Sequence, residues 1–191
     1  MLDILIFKTV YHKLYSIIAK VKSEGAKIMK KIDLATKIGQ LLQTHGLMLT
    51  TAESCTGGLV AAAITEIPGS SQWFDRGFVT YSNRAKQEML GVQANVLEKY
   101  GAVSEPVAIA MAEGGLVHSS ATVSVAITGI AGPAGGTLEK PVGSVWFAWK
   151  LNNFPVKTSL QLFQGDRQKI RSLATDYCMA ELVKYIVKSK L

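Results

Sequence analysis

The chain has 191 residues, 48% hydrophobic and 18% charged, a composition typical of a globular domain with its own core rather than of a disordered protein. The formal net charge of +7 is concentrated in residues 1–31, where seven lysines stand against two acidic residues, whereas residues 32–191 carry 14 basic and 12 acidic side chains. A nearly neutral body without a basic stripe argues against a nucleic-acid-binding protein.

The number of cysteines and the hydropathy of the chain exclude further classes of protein. Cys55 and Cys178 are too few for a disulfide framework and are not spaced like zinc ligands, so we expect a reducing compartment and no structural metal. No uncharged apolar run approaches the roughly 20 residues that span a bilayer, and lysines interrupt the N-terminal apolar segment, which also disfavours a signal peptide. We therefore expect a cytoplasmic protein without stable membrane association.

The first predicted element is an amphipathic helix within residues 1–30, which Gly25 could end. Six apolar residues recur there at spacings of three and four, which places them on one stripe of the helix: Ile4, Phe7, Tyr11, Leu14, Ile18 and Val21. Three interpretations stay open: a packing or oligomerisation arm, a membrane-surface helix, or an extension outside the functional protein. We favour an accessory arm that is dispensable for chemistry, followed by one domain over residues 31–191.

Strands and helices alternate through the rest of the chain, and no repeat or linker divides it. We predict a helix marked by Leu34 to Leu42 and ended by Gly46, strands over residues 47–53, 74–81 and 121–128, a hairpin of strands 142–151 and 156–163, and helices over about 57–66, 83–90, 94–100, 105–118 and 166–188. Ser82 or Asn83, and Ser104, are expected to cap two of these helices. The pattern predicts an α/β fold, a single-domain three-layer α/β/α sandwich with a mixed sheet, plus the N-terminal accessory helix.

The turn between the first predicted strand and the next helix, within residues 51–59 (TAESCTGGL), is the most informative segment. It places the hydroxyl or thiol groups of Ser54, Cys55 and Thr56 beside a helix start, where unpaired backbone N–H groups favour an anion such as a phosphate or a developing oxyanion. The alternative is an ordinary helix cap made by Ser54 or Thr56.

A nucleophile in this turn needs a base, and the histidines are poor candidates. His12, His45 and His118 lie in the arm or at helix ends, and no Gly-x-Ser-x-Gly motif is present. A lysine can replace histidine when its pKa is lowered, and Lys86, together with Tyr81, could reach the Ser54 turn if their strand lies beside the first one. The alternative is a solvated lysine on the helix over residues 83–90.

A glycine-rich loop over residues 129–136 follows the strand at 121–128. It matches neither the Gly-x-x-x-x-Gly-Lys nor the Gly-x-Gly-x-x-Gly phosphate motif, so it favours neither a kinase-type phosphate loop nor a dinucleotide fold. Its N–H groups could still form an anion nest, and a plain surface turn is the alternative.

Five segments in this order resemble the nicotinamide-nucleotide amidase family, also known as the C-terminal domain of the competence/damage-inducible protein CinA. They are residues 51–58 (TAESCTGG), 77–86 (GFVTYSN followed by AK at 85–86), 101–107 (GAVSEPV), 129–133 (GIAGP) and 140–143 (KPVG). The resemblance covers about residues 33–188. It implies hydrolysis of the carboxamide of nicotinamide mononucleotide to nicotinate mononucleotide and ammonia, with no metal and no cofactor.

The same resemblance implies a role for each matching residue. Ser54 is expected as nucleophile, Lys86 as base and Tyr81 as the hydroxyl that relays or orients the proton. Backbone N–H groups near Cys55, Thr56 and Gly57 are our candidates for the oxyanion donors. The nucleotide site is expected to include Thr128, Gly129 and Gly132, with Arg76 as a weaker candidate for the phosphate or a neighbouring chain.

Two alternatives remain beside this interpretation. One takes Cys55 as nucleophile with Glu53 and Lys86, as in nitrilase-like chemistry. The other is a non-catalytic nucleotide-binding or competence-associated interaction module. We expect a small-molecule nucleotide as partner, no nucleic acid, and a homo-oligomer.

Overall fold

The computed structural model describes residues 31–189; the predicted amphipathic arm over residues 1–30 lies outside the described residues. The described part contains six α-helices and five strands. Their bounds are α1 Lys31–Thr44, β1 Leu49–Glu53, α2 Leu59–Thr65, a short 3₁₀ helix Ser70–Gln72, β2 Phe74–Val79, α3 Asn83–Leu90, α4 Ala94–Tyr100, α5 Glu105–Val117, β3 Val123–Gly129, β4 Ser144–Leu151, β5 Lys157–Leu162 and α6 Arg167–Lys188.

The strands form one mixed sheet in the order β2-β1-β3-β4-β5. β1 pairs in parallel with β2 on one side and with β3 on the other, whereas β4 and β5 add as antiparallel strands. Because Glu53 is in register with Val79 and Ile127, the carboxyl ends of the three parallel strands meet at one edge of the sheet. Crevices at such an edge are the usual ligand sites of α/β proteins.

Helices cover both faces of the sheet, so the predicted three-layer architecture is confirmed. The larger core lies on the face packed by α1, α2 and α6, where Leu49 and Val125 of the sheet contact buried residues of these helices. The other core joins Ala52 and Ala126 to buried residues of α3, α4 and α5, such as Met111. Burial on both faces explains why β1 is buried along its whole length rather than alternating.

Two predicted helix caps have different outcomes. The Ser82 hydroxyl accepts a hydrogen bond from the Ala85 amide at 3.0 Å and caps α3, as predicted. Ser104 stands at the start of α5, but its hydroxyl donates to the Gly101 carbonyl at 2.8 Å and makes no cap hydrogen bond. The prediction that Ser104 caps the helix through its side chain is therefore wrong, because the hydroxyl instead braces the loop before α5.

The predicted strand at 74–81 ends earlier than expected, at Val79. The Thr80 amide still donates to the Glu53 carbonyl at 2.8 Å, but the chain then leaves the sheet toward α3. This early exit leaves the Thr80 carbonyl available to a side chain.

Within residues 31–189, no helix combines the length and the apolar character needed to cross a membrane.

Candidate active site

The loop that follows β1 places Ser54 at the carboxyl edge of the sheet. The Ser54 amide donates to the Ile127 carbonyl of β3 at 2.9 Å, so the residue after β1 is still held by the neighbouring strand. The chain then turns tightly, with the Gly57 amide donating to the Ser54 carbonyl at 3.1 Å. Gly57 and Gly58 adopt positive φ angles of 61° and 94°, which only glycine adopts without strain, before α2 begins.

The start of α2 is capped by Glu53 and not by a hydroxyl of the turn. The buried Glu53 carboxylate accepts hydrogen bonds from the amides of Gly58, Val60 and Ala61 at 2.9–3.1 Å. The alternative interpretation of the turn, a helix cap made by Ser54 or Thr56, is therefore wrong. These three amides are therefore not available to bind an anion from outside, because the Glu53 carboxylate already accepts their hydrogen bonds.

Lys86 lies beside Ser54 although the two residues are on different elements. The Lys86 Nζ atom is 3.0 Å from the Ser54 Oγ atom and donates to the Thr80 carbonyl at 2.9 Å. Its side chain is 1% exposed, so the alternative of a solvated lysine is wrong. Burial lowers the pKa of Lys86 from 10.5 to about 8, against a smaller opposing effect of Cys55. A useful fraction of the amine is therefore uncharged near neutral pH.

Tyr81 reaches the same pocket through the loop between β2 and α3. The tyrosine is 60% exposed, and its hydroxyl accepts a hydrogen bond from Arg167 Nη2 at 2.8 Å. Arg167 also donates through Nη1 to the Gly132 carbonyl at 2.9 Å. In this structure the Tyr81 hydroxyl is thus bound to Arg167, and its expected contact with the Ser54–Lys86 pair is not made among the described residues.

The pocket at this edge of the sheet has a volume of about 250 Å³. Six of the residues predicted from the sequence line it: Ser54, Cys55, Tyr81, Lys86, Thr128 and Gly129. The Thr128 hydroxyl donates to the Ala102 carbonyl at 2.8 Å and so holds another part of the pocket wall. At Gly129, a Cβ atom would meet Val145 Cγ2 at 2.7 Å, because β3 passes close to β4 there.

The other predicted binding residues lie outside the pocket wall. The hydroxyl of Thr56 is buried without a partner among the described residues, and the amide of Gly57 is already used by the Ser54 carbonyl, so Gly57 does not fit the role of oxyanion donor. Gly132 borders the pocket only through its carbonyl contact with Arg167.

The expectation for Arg76 at the phosphate does not fit the structure. Its guanidinium donates to Asp75 at 2.7 Å and to the His118 carbonyl at 3.3 Å. Arg76 pairs in register with Thr50, nearer the amino end of the parallel strands, whereas Ser54 follows their carboxyl ends. The side chain therefore does not contribute to this pocket.

Cys55 lines the pocket but is a poor nucleophile. Burial raises the pKa of the Cys55 thiol from 9.0 to about 12, with smaller opposing effects of its own amide and of Lys86. The thiol therefore stays protonated near neutral pH. Glu53, the partner suggested by the nitrilase-like alternative, uses its carboxylate on three backbone amides instead.

Several residues of the site were not predicted as site residues, although four of them lie within the segments that carry the family resemblance. Asn83, Ala102, Val103, Ala131 and Arg167 also line the pocket, and Arg167 adds a cation to it. Arg171, one turn further along α6, donates to the carbonyls of Cys55 and Thr56. No local sequence signal distinguishes these two arginines, because Asp166 and Arg167 indicate only the start of a helix and Arg171 lies in its second turn.

The fold and the site together define an α/β protein with a buried serine–lysine pair at the carboxyl edge of a mixed sheet. The family model described as CinA C-terminal domain matches residues 31–186. A protein named nicotinamide-nucleotide amidohydrolase PncC from Enterobacter agglomerans is 51% identical over 157 residues, which cover 82% of this chain and 96% of that protein. A protein of the same name from Escherichia coli strain K12 is 52% identical over 151 residues, covering 79% of this chain and 92% of that protein.

Solved structures agree with these relatives. The crystal structure of the competence/damage inducible protein CihA from Agrobacterium tumefaciens matches with a TM-score of 0.78 at 46% identity, covering 84% of this chain and 98% of that one. A competence-damaged protein (CinA) superfamily structure from Escherichia coli matches with a TM-score of 0.81 at 39% identity, covering 85% of this chain and 94% of that one. The chain belongs to the CinA C-terminal domain family.

Proposed function

We propose that this chain hydrolyses the carboxamide of nicotinamide mononucleotide to nicotinate mononucleotide and ammonia. Relatives that are about half identical over nearly their whole length carry the name nicotinamide-nucleotide amidohydrolase. The observation that carries the proposal for this chain is the 3.0 Å distance between Ser54 Oγ and a buried Lys86 amine. An uncharged amine beside a serine hydroxyl can act as the general base that activates serine for acyl transfer.

In the first half of the proposed reaction, Ser54 Oγ attacks the carboxamide carbon. The hydroxyl proton passes to the uncharged Lys86 amine, and the carbonyl oxygen becomes an oxyanion. The Lys86 ammonium then gives this proton to the departing nitrogen as the carbon–nitrogen bond breaks. Ammonia leaves, and the acyl group is held as an ester on Ser54.

In the second half, water attacks this ester. Lys86 accepts a proton from the water, and its ammonium returns the proton to Ser54 Oγ as the ester bond breaks. The products are nicotinate mononucleotide and the original serine. General-base assistance of this kind typically contributes about 10²–10⁴ in rate. The Thr80 carbonyl keeps the amine aimed at Ser54 throughout, since it accepts one of the Lys86 N–H groups.

Arg167 replaces Arg76 as our candidate for the substrate phosphate. Its guanidinium lines the pocket, and it donates to the neutral acceptors Tyr81 and Gly132. A phosphate is a stronger acceptor for an arginine than a phenol oxygen. If the phosphate takes the Nη2 donor from Tyr81, the Tyr81 hydroxyl becomes free for the proton-relay role expected from the sequence.

An ammonia-release assay with nicotinamide mononucleotide tests this proposal. We expect turnover by the full chain and its loss in Ser54→Ala, with an unchanged circular dichroism spectrum. Ser70→Ala, another buried serine but one outside the pocket, is the matched control. Binding of the nucleotide without ammonia release would favour the non-catalytic module instead.

A further inference from the structure

Arg171 lies on α6, more than 100 residues after Ser54 in the sequence, and contacts the loop that carries Ser54. Its Nε atom donates to the Cys55 carbonyl at 3.0 Å, and its Nη2 atom donates to the Thr56 carbonyl at 2.7 Å. The planar guanidinium thus binds two consecutive carbonyls of the same turn. Arg171 is half-buried, and it takes part in none of the ion pairs found within residues 31–189.

These two hydrogen bonds fix the direction of an amide as well as of two carbonyls. The peptide bond between Cys55 and Thr56 is trans, so the Thr56 N–H group points opposite to the Cys55 carbonyl. Because Arg171 holds that carbonyl toward α6, the Thr56 amide is turned away from α6. It donates no hydrogen bond to any residue in the range 31–189.

Three neighbouring amides of the turn are already used, whereas the Cys55 amide, directly after the nucleophile, donates to no other residue within 31–189. Ser54 donates to Ile127, Gly57 donates to the Ser54 carbonyl, and Gly58 donates to Glu53. Cys55 and Thr56 therefore supply uncommitted amides one and two residues after the nucleophile, and Cys55 lines the same pocket as Ser54. A backbone amide near the nucleophile is the usual donor to a developing oxyanion.

Within the loop itself, no residue accepts a hydrogen bond from the Thr56 amide or donates one to the Cys55 carbonyl. Gly57 and Gly58 follow Thr56 directly, and glycine allows alternative peptide orientations that other residues do not. Glu53 fixes the start of α2 but does not contact the peptide between Cys55 and Thr56. The two hydrogen bonds from Arg171 are therefore the ones that hold the Cys55–Thr56 peptide in one orientation.

We infer that Arg171 is a positioning residue: by binding the Cys55 and Thr56 carbonyls it fixes the turn after Ser54, so that the free amides of this turn, Cys55 first, stabilise the oxyanion formed on attack by Ser54. This inference rests on the proposed amidase function. Lysine cannot replace Arg171, because an ammonium does not offer two donors in the fixed fork that matches two adjacent carbonyls.

The test measures kcat and KM for nicotinamide mononucleotide in Arg171→Met and Arg171→Lys. Losing one oxyanion donor typically costs about 10²–10³ in kcat, so we expect a loss in this range with little change in KM. Lys184→Met is the matched control, because it removes an exposed cation from the same helix. Wild-type kcat in both Arg171 variants would overturn the inference.

A sulfur-substituted substrate separates positioning from a merely structural role. Sulfur is a weak hydrogen-bond acceptor, so the thiocarboxamide analogue benefits little from an oxyanion donor. We expect the wild type to prefer the carboxamide over the thiocarboxamide, and the Arg171 variants to lose much of this preference. An equal loss on both substrates would indicate a general structural effect and would overturn the inference.

If the Arg171→Met chain is unstable, chemical rescue of Arg171→Ala by guanidinium ion tests the inference instead. Guanidinium ion added to Arg171→Ala can occupy the vacated position, and we expect it to restore part of kcat, while Lys184→Met gains nothing. Absence of rescue in a folded Arg171→Ala chain counts against the inference. Failure of the proposed function would look different, since the wild type itself would then release no Ser54-dependent ammonia.

Discussion

The Lys86 amine and the Ser54 hydroxyl lie 3.0 Å apart across 32 residues of sequence, and both belong to buried residues. Parallel pairing of β1 with β2 produces this contact, because each strand delivers its following loop to the same edge of the sheet. The Thr80 carbonyl then directs the amine from the second loop. The chemistry proposed for the site depends on the charge state that this buried position gives to Lys86.

The activity should increase with pH up to the pKa of Lys86. Burial places this pKa at about 8, and only the uncharged amine can accept the Ser54 proton. Roughly one-tenth of the amine is then uncharged at about pH 7, so kcat/KM should rise about tenfold toward its plateau. Initial rates of ammonia release from about pH 6 to about pH 9.5 measure this. A rate that stays constant or falls as the pH rises through 8 would rule out the role of Lys86 as the base.

The same pKa predicts how stability depends on pH. Because the pKa of Lys86 is lowered from 10.5 to about 8 on folding, the unfolded chain binds more protons between these values. The free energy of unfolding contributed by Lys86 is therefore lowest below about pH 8 and rises as the pH approaches 10.5.

Urea denaturation of the wild type and of Lys86→Met, at several pH values, isolates this effect. Other titrating groups are common to both chains and cancel in the difference. We expect the stability of the wild type relative to Lys86→Met to increase by about 2–3 kcal/mol across the window. A difference that does not vary with pH would mean that the lysine is not desolvated in the folded chain.

Arg167 should control recognition of the phosphate. Removing a hydrogen bond to a charged group typically costs about 1.5–3 kcal/mol, so Arg167→Met should raise KM for nicotinamide mononucleotide by about 10- to 100-fold. KM for nicotinamide riboside, which lacks the phosphate, should change little. Arg76→Met is the control, because Arg76 is bound to Asp75 and the His118 carbonyl away from the pocket. An equal increase in KM for both substrates in Arg167→Met would contradict the phosphate assignment.

Cys55 should be dispensable for the chemistry. Burial raises the pKa of its thiol to about 12, so almost no thiolate exists near neutral pH. We expect Cys55→Ala to retain turnover of the same order as the wild type, measured by ammonia release. If Cys55→Ala keeps its fold and loses all turnover while Ser54→Ala stays active, the thiol is the nucleophile.

The fold could be predicted largely from local sequence patterns. The alternation of apolar runs and helical periodicity predicts every strand and every α-helix of the described part, with errors at element ends such as Val79, but not the short 3₁₀ helix Ser70–Gln72. The adjacency of Ser54 and Lys86 was a conditional expectation, because it required β1 and β2 to be neighbours. Strand order is a tertiary property that no single window of sequence encodes.

The errors at the site have the same physical origin. The resemblance suggests Arg76 for the phosphate, but its position on β2, three residues before the carboxyl end of the strand, places it outside the pocket. Glu53 acts through three amides that follow it in the chain, and this geometry exists only once α2 has formed. Arg167 and Arg171 reach the site from the last helix, where their sequence neighbourhood indicates only a helix start.

The most direct test of the account is to look for the acyl group on Ser54. Wild-type protein mixed with excess nicotinamide mononucleotide is quenched with acid during turnover, digested, and analysed by peptide mass spectrometry. We predict the mass of a nicotinate mononucleotide ester on the peptide that contains Ser54, and its absence from Ser54→Ala. Ammonia release by Ser54→Ala at the wild-type rate, with no adduct on the native serine, would contradict the central claim.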